Sequence, residues 1–103
     1  MTNTIIPAGF IIANDAAVWG IGTTEDAAWT DLRNGMKLAR IPHDSEVDME
    51  DTYRPRSWSE DQFTVLPATA ALIARIAERG GMIDYATVGG IGCTTDEEDA
   101  LDA

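Results

Sequence analysis

Phe63-Thr-Val-Leu-Pro-Ala-Thr-Ala-Ala-Leu-Ile-Ala-Arg-Ile-Ala-Glu-Arg-Gly-Gly81 is the stretch that decides the fold. Phe63 to Leu66 is apolar or β-branched throughout and reads as a strand. Pro67 suits a first helical position, where its missing amide proton is not needed. From Pro67 to Arg79 the residues Ala68, Ala71, Leu72, Ile73, Ile76 and Ala77 form a broad apolar face, with Arg75, Glu78 and Arg79 left for water. Gly80-Gly81 ends that helix. A strand that feeds directly into an amphipathic helix implies a sheet with helices packed on it.

The same organisation extends towards the N-terminus. Phe10 to Ala13 reads as a strand, Asn14-Asp15 as a turn and Ala17 to Ile21 as a second strand, which together make a hairpin. Thr23 and Thr24 then supply cap oxygens ahead of Glu25 and Asp26, so a helix is expected over 24–34 with Gly35 as its C-terminal cap. Ala28, Leu32 and Met36, joined by Trp29, form the stripe that faces the sheet. Met36 to Ile41 reads equally as a short strand or as the tail of this helix, and Pro42 stops either.

Beyond the central helix, Met82 to Val88 alternates as a strand, and Gly89-Gly90 offers a turn or bulge before Ile91-Gly92-Cys93. Thr95 with Glu98 forms a capping-box pattern for a short acidic terminal helix within 95–103. The expected architecture is one α+β domain over 1–103. It has an antiparallel or mixed sheet of four or five strands and two main helices on one face, in the order ββα, loop, βαβ(β). The runs starting at Val18 and Val88 share a Gly-Ile-Gly exit, threonine caps and an acidic first turn. That echo reads either as a duplicated strand-to-helix unit or as two independent uses of one capping chemistry.

With 18 Asp and Glu against 7 Lys and Arg, the 103-residue chain carries a formal net charge of -11. Nucleic acid and anionic membrane are repelled by such a surface, whereas basic proteins are attracted. At 45% apolar residues the chain is nevertheless a folded domain and not an acidic tail. The lone Cys93 excludes an internal disulfide framework and fits a reducing compartment, so a cytoplasmic location is expected, with no signal peptide and no membrane span.

Familiar chemistries fit poorly. Gly20-Ile-Gly22 and Gly89-Gly-Ile-Gly92 precede helices, but neither completes a phosphate-loop pattern, and Glu25, Asp26 and Asp96 to Glu98 would repel an anion there. His43 and Cys93 offer only one nucleophilic pair, without close spacing. Counted from Asp44, a calcium loop would need glycine where Met49 stands and glutamate where Pro55 stands. No cofactor, no metal site and no enzymatic activity are therefore expected.

The segment 42–62 is the least apolar and reads as a long loop. If 44–50 is extended, Asp44, Glu46, Asp48 and Glu50 share one side at a spacing of about 6.6 Å, twice the roughly 3.4 Å between phosphates along a DNA strand. Convincing mimicry would need a second acidic row, for which Glu60-Asp61 and Asp96-Glu97-Glu98-Asp99 are candidates. Asp51 ends the acidic run, and Tyr53 and Trp58 beside it are of the types enriched in binding hot spots. Trp58 could equally fold back over the core. These thirteen residues are the candidate partner-binding set.

In size and charge the chain resembles small acidic inhibitors of phages and mobile elements, among them DNA-mimicking anti-CRISPR proteins. That resemblance implies blockade of nucleic-acid engagement by a CRISPR effector complex, in the cytoplasm of a bacterial host. The expected partner is a basic, nucleic-acid-binding protein, with no direct contact to nucleic acid or membrane. Two alternatives stand beside it. One is an antitoxin-like or homodimerising regulatory adaptor; the other is a small metal binder or enzyme using His43 and its carboxylate neighbours.

Overall fold

A computed structural model describes residues 5–46 and 57–101. The chain forms β1 (Gly9–Ala13), β2 (Val18–Gly22), α1 (Glu25–Leu38), β3 (Thr64–Ala68), α2 (Ala70–Arg79), β4 (Ala86–Val88), β5 (Ile91–Cys93) and α3 (Thr95–Leu101). The strands make one mixed sheet in the order β2-β1-β3-β5-β4. Only β3 and β5 run parallel, as expected for two strands connected through a helix. The α+β class, the five-stranded mixed sheet and the element order match the sequence reading.

The hairpin forms because Asn14 Oδ1 accepts from the amides of both Ala16 and Ala17, at 2.9 and 3.0 Å, while the Asn14 amide donates to the Ala17 carbonyl. A register shift between Ile12 and Ala13 lets both Trp19 and Gly20 meet α1. At the far edge, Gly89 (φ 59°) and Gly90 (φ 82°) make the two-residue turn that joins Val88 to Ile91.

The two main helices lie on opposite faces of the sheet, contrary to the expectation of one shared face. Ile11 and Ala13 of β1 pack with Leu72 and Ile76 of α2. Their neighbour Ile12, with Phe10 beside it, packs instead with Ala28, Leu32 and Met36 of α1. Successive strand side chains point to opposite faces, and here all four are apolar, so β1 needs cover on both sides.

Several boundaries move for local reasons. Helix α1 runs through Gly35 to Leu38, and its end is instead a left-handed residue, Arg40 (φ 59°). The Ile41 amide donates to the Met36 carbonyl and the Arg40 amide to the Lys37 carbonyl, the paired bonds of a Schellman end with arginine in the usual glycine position. Pro67 is a strand residue opposite Phe10, not the start of α2. The Ala68 carbonyl accepts from Ala8 on the β1 side, so alternation turns the Pro67 nitrogen towards β5, whose pairing with β3 is limited to Ala68 and Gly92.

Thr69 is the actual cap of α2, accepting from the Leu72 amide at 3.2 Å. Only Leu72 and Ile76 of α2 are fully buried; Ala71 and Ala77 are exposed, and Ala68 belongs to β3. Met82 is 85% exposed, and the strand expected from 82 begins only at Ala86. The terminal capping box is Thr94 with Glu97, one residue earlier than expected: Thr94 Oγ1 accepts from the Glu97 amide, and Glu97 Oε1 accepts from the Thr94 amide.

Gly20 and Gly22 have a packing role. A methyl group on Gly20 would overlap the Ala28 carbonyl oxygen, and one on Gly22 would lie 2.6 Å from the Ala28 nitrogen. Bare backbone in β2 is what lets α1 lie so close to it. Asp31 Oδ2 then accepts from the outward-facing Ile21 amide at 3.0 Å, covering part of this edge strand.

Candidate functional site

The loop that leaves α1 and the chain that returns to β3 are stitched together. Trp58 donates its amide to the Pro42 carbonyl at 3.1 Å, and its carbonyl accepts from the Asp44 amide at 2.8 Å, forming a parallel bridge between His43 and Trp58. The two rings meet edge to face with centroids 4.6 Å apart. His43 Nε2 donates to Glu60 at 2.9 Å, and its Nδ1 accepts from the Ser45 amide at 3.1 Å. Trp58 is 5% exposed and packs with Phe63 and the α1 side of the core, so it is a structural post and not a surface anchor.

Ser45 Oγ lies 2.8 Å from His43 Nδ1, which puts a hydroxyl, an imidazole and a carboxylate in one row. That row has the order of a nucleophile, its base and an orienting acid. It reads better as a brace. Nδ1 is shared between the Ser45 hydroxyl at 2.8 Å and the Ser45 amide at 3.1 Å, and the Asp44 and Glu46 amides are spent on the Trp58 and His43 carbonyls. No pair of free backbone donors is left to stabilise an oxyanion beside Ser45 among the described residues. Cys93 plays no part in the row. It is fully buried in β5, where burial, and then the charges of Glu97 and Glu98, push its thiol pKa up.

Asp44 and Glu46 stand in a 3-10 turn, Asp44–Glu46, so the extended acidic row does not begin there. Asp48, Glu50, Asp51 and Tyr53 lie outside the described residues. Glu60 and Asp61 occupy a second 3-10 turn, Glu60–Gln62. The hydrogen bond from His43, ahead of smaller contributions from backbone and charge, lowers the Glu60 pKa. The structure therefore brings Asp44, Glu46 and Glu60 together at the base of the loop, with Asp61 next to them.

The terminal acids are elsewhere. Asp96 pairs with Arg75 of α2 at 3.1 Å, and Glu97 accepts from Thr69 Oγ1 at 2.6 Å. This cluster belongs to the α2 side of the sheet, whereas the described loop acids Asp44, Glu46 and Glu60 belong to the α1 side, so these two groups do not form one phosphate-like double row. Glu97 is occupied in capping, while Glu98 and Asp99 are exposed without an ion pair among the described residues.

The loop base also borders a cleft of ≈ 620 Å³ that sequence reasoning missed. Arg33, Lys37 and Arg40 lie on its rim, three of the seven Lys and Arg in the chain, and Met36, Ile41 and Trp58 contribute apolar surface. The signal was present as a basic stripe at i, i+4 and i+7 along α1 and its end. No group of three or more His, Cys, Asp or Glu side chains among the described residues is arranged to hold a metal ion. No helix among them is long and apolar enough to cross a membrane. No family model, curated protein or solved structure matches the chain.

Proposed function

We propose that the protein is an acidic binding module that occupies an Arg- and Lys-lined surface on a basic, nucleic-acid-handling partner. What supports this reading is the way the acidic run is held. The described residues that flank it are braced by the bridge between His43 and Trp58 and by the bond from His43 to Glu60, yet the carboxylates of Asp44, Glu46 and Asp61 are exposed and take no structural partner among the described residues. Charge that is fixed at its base and unused by the fold is suited to steering and to charge-paired contact. Asp48, Glu50 and Asp51 continue the run in sequence and belong to the proposed contact, with Tyr53 as its aromatic residue.

A subunit of a CRISPR effector complex is the concrete candidate, the module acting as an inhibitor that blocks nucleic-acid engagement. The test is capture from a bacterial lysate at low and high salt, with wild type beside the variant Asp44→Lys, Glu46→Lys, Asp48→Lys, Glu50→Lys. The reading expects a nucleic-acid-binding protein retained at low salt, released as salt rises, and lost in the variant while its circular dichroism is unchanged. Equal retention by the variant would overturn the site assignment. Salt-indifferent association, or self-association through apolar surface, would favour a dimerising adaptor instead.

A further inference from the structure

We propose that the cleft at the C-terminal end of α1 binds a small organic anion, with a compact apolar or aromatic body and one phosphate, sulfonate or carboxylate group. This site adjoins the acidic contact above and shares Glu46 with it, but the proposal does not rest on that reading. Its ≈ 620 Å³ falls within the several hundred cubic ångströms typical of sites that enclose a small ligand. Met36, Ile41, Pro42 and Trp58 supply apolar lining for the body of such a ligand, and Arg33, Lys37 and Arg40 supply donors for its charged group.

Two further observations point the same way. None of the three cations is ion-paired or hydrogen-bonded through its side chain among the described residues, although the chain holds more than twice as many acids as bases. Arg40 also stands at φ 59°, the left-handed helix end that glycine ordinarily fills. A strained position held by a charged residue on the rim of a cleft is where a binding role is to be sought.

The size of the ligand follows from the rest of the molecule. At a net charge of -11, a polyanion reaching beyond the cleft meets repulsion from Glu46, Glu60 and the acids around them. Glu46 and Glu60 line the cleft as well, so the ligand is limited to a single anionic group seated against Arg33, Lys37 and Arg40. His43 adds little, because its Nε2 proton is already given to Glu60.

The test uses the full chain titrated with phenyl phosphate and benzenesulfonate, followed by backbone amide chemical shifts, with phenol and inorganic phosphate as controls. The proposal expects saturable binding of at least one aromatic anion, with shifts centred on residues 33–43, and binding of phenol and inorganic phosphate weaker by about tenfold or more. Arg33→Gln with Lys37→Gln should weaken binding by about tenfold. Arg40→Gly should weaken it too while melting no lower than wild type, which separates loss of the charge from loss of the fold. Absence of saturable binding by both anions, shifts centred outside the cleft, or undiminished binding by these variants would overturn the proposal.

Discussion

Thr69 Oγ1 and Glu97 Oε1 are joined by a 2.6 Å hydrogen bond that ties the start of α2 to the start of α3. The same hydroxyl accepts from the Leu72 amide, and the same carboxylate oxygen accepts from the Thr94 amide. One short relay thus satisfies donors at two helix N-termini, and both threonines are buried. Thr69→Val removes the cap oxygen of α2 and the hydroxyl donor of Glu97 at nearly constant volume. It should destabilise the protein by about 1–3 kcal/mol, measured by denaturant unfolding.

Glu97 also sets a pH dependence. Burial alone would raise its pKa, but the hydrogen bonds from Thr69 and Thr94 outweigh that and hold it below the ordinary value of 4.5. A lowered folded-state pKa means that the unfolded chain binds the proton more readily, so this contribution is fully present above pH 4.5. It declines as pH falls below that value and is gone once the pH is below the folded-state pKa. The stability difference between wild type and Glu97→Gln should therefore shrink on acidification through this window. A difference that stays constant with pH would contradict the assignment.

Two glycines should respond in opposite senses. Gly20→Ala forces a methyl group against the Ala28 carbonyl and should cost about 1–3 kcal/mol as α1 is pushed from β2. Gly35→Ala meets nothing within 4 Å and lies inside α1, so it should stabilise by roughly 0.5–1 kcal/mol. Thermal melts of the two variants read both signs.

Cys93 is 0% exposed, and its thiol pKa is raised by burial. At neutral pH it should react with an aromatic disulfide reagent only as fast as the protein opens, and promptly once denaturant is added. Rapid labelling of the native protein would show β5 to be less protected than its packing implies.

Elements governed by local chemistry were legible in the sequence. Asn14 and Thr24 announce the first turn and the first helix cap, and the stripe of Ala28, Leu32 and Met36 is the buried one. Errors arose where one residue suits two environments. The backbone of Pro67 fits a strand as well as a first helical turn, and the better signal was Thr69 directly ahead of the apolar run Ala70 to Ile73. Gly35 imitated a cap, while Arg40 carries no composition cue for a left-handed end.

The opposed helices were readable in principle, because Phe10, Ile11, Ile12 and Ala13 leave no polar side on β1. The cleft and the brace were harder to foresee. His43 and Glu60 are 17 residues apart, and nothing in their spacing says that a bridge at Trp58 brings them into contact. The burial of Trp58 depends equally on that tertiary pairing, which composition alone does not encode.

The bridge between His43 and Trp58 also bears on what a change of chain length between its two sides costs. The chain leaves at Asp44 and returns at Trp58 on backbones already bonded to each other. Doubling the number of residues spanning such a gap raises the closure cost by only about 0.6 kcal/mol. On closure entropy alone, lengthening the intervening segment by a few residues should cost well under about 1 kcal/mol. In design terms this junction is a display port, one through which new binding specificities could be carried on an unchanged scaffold.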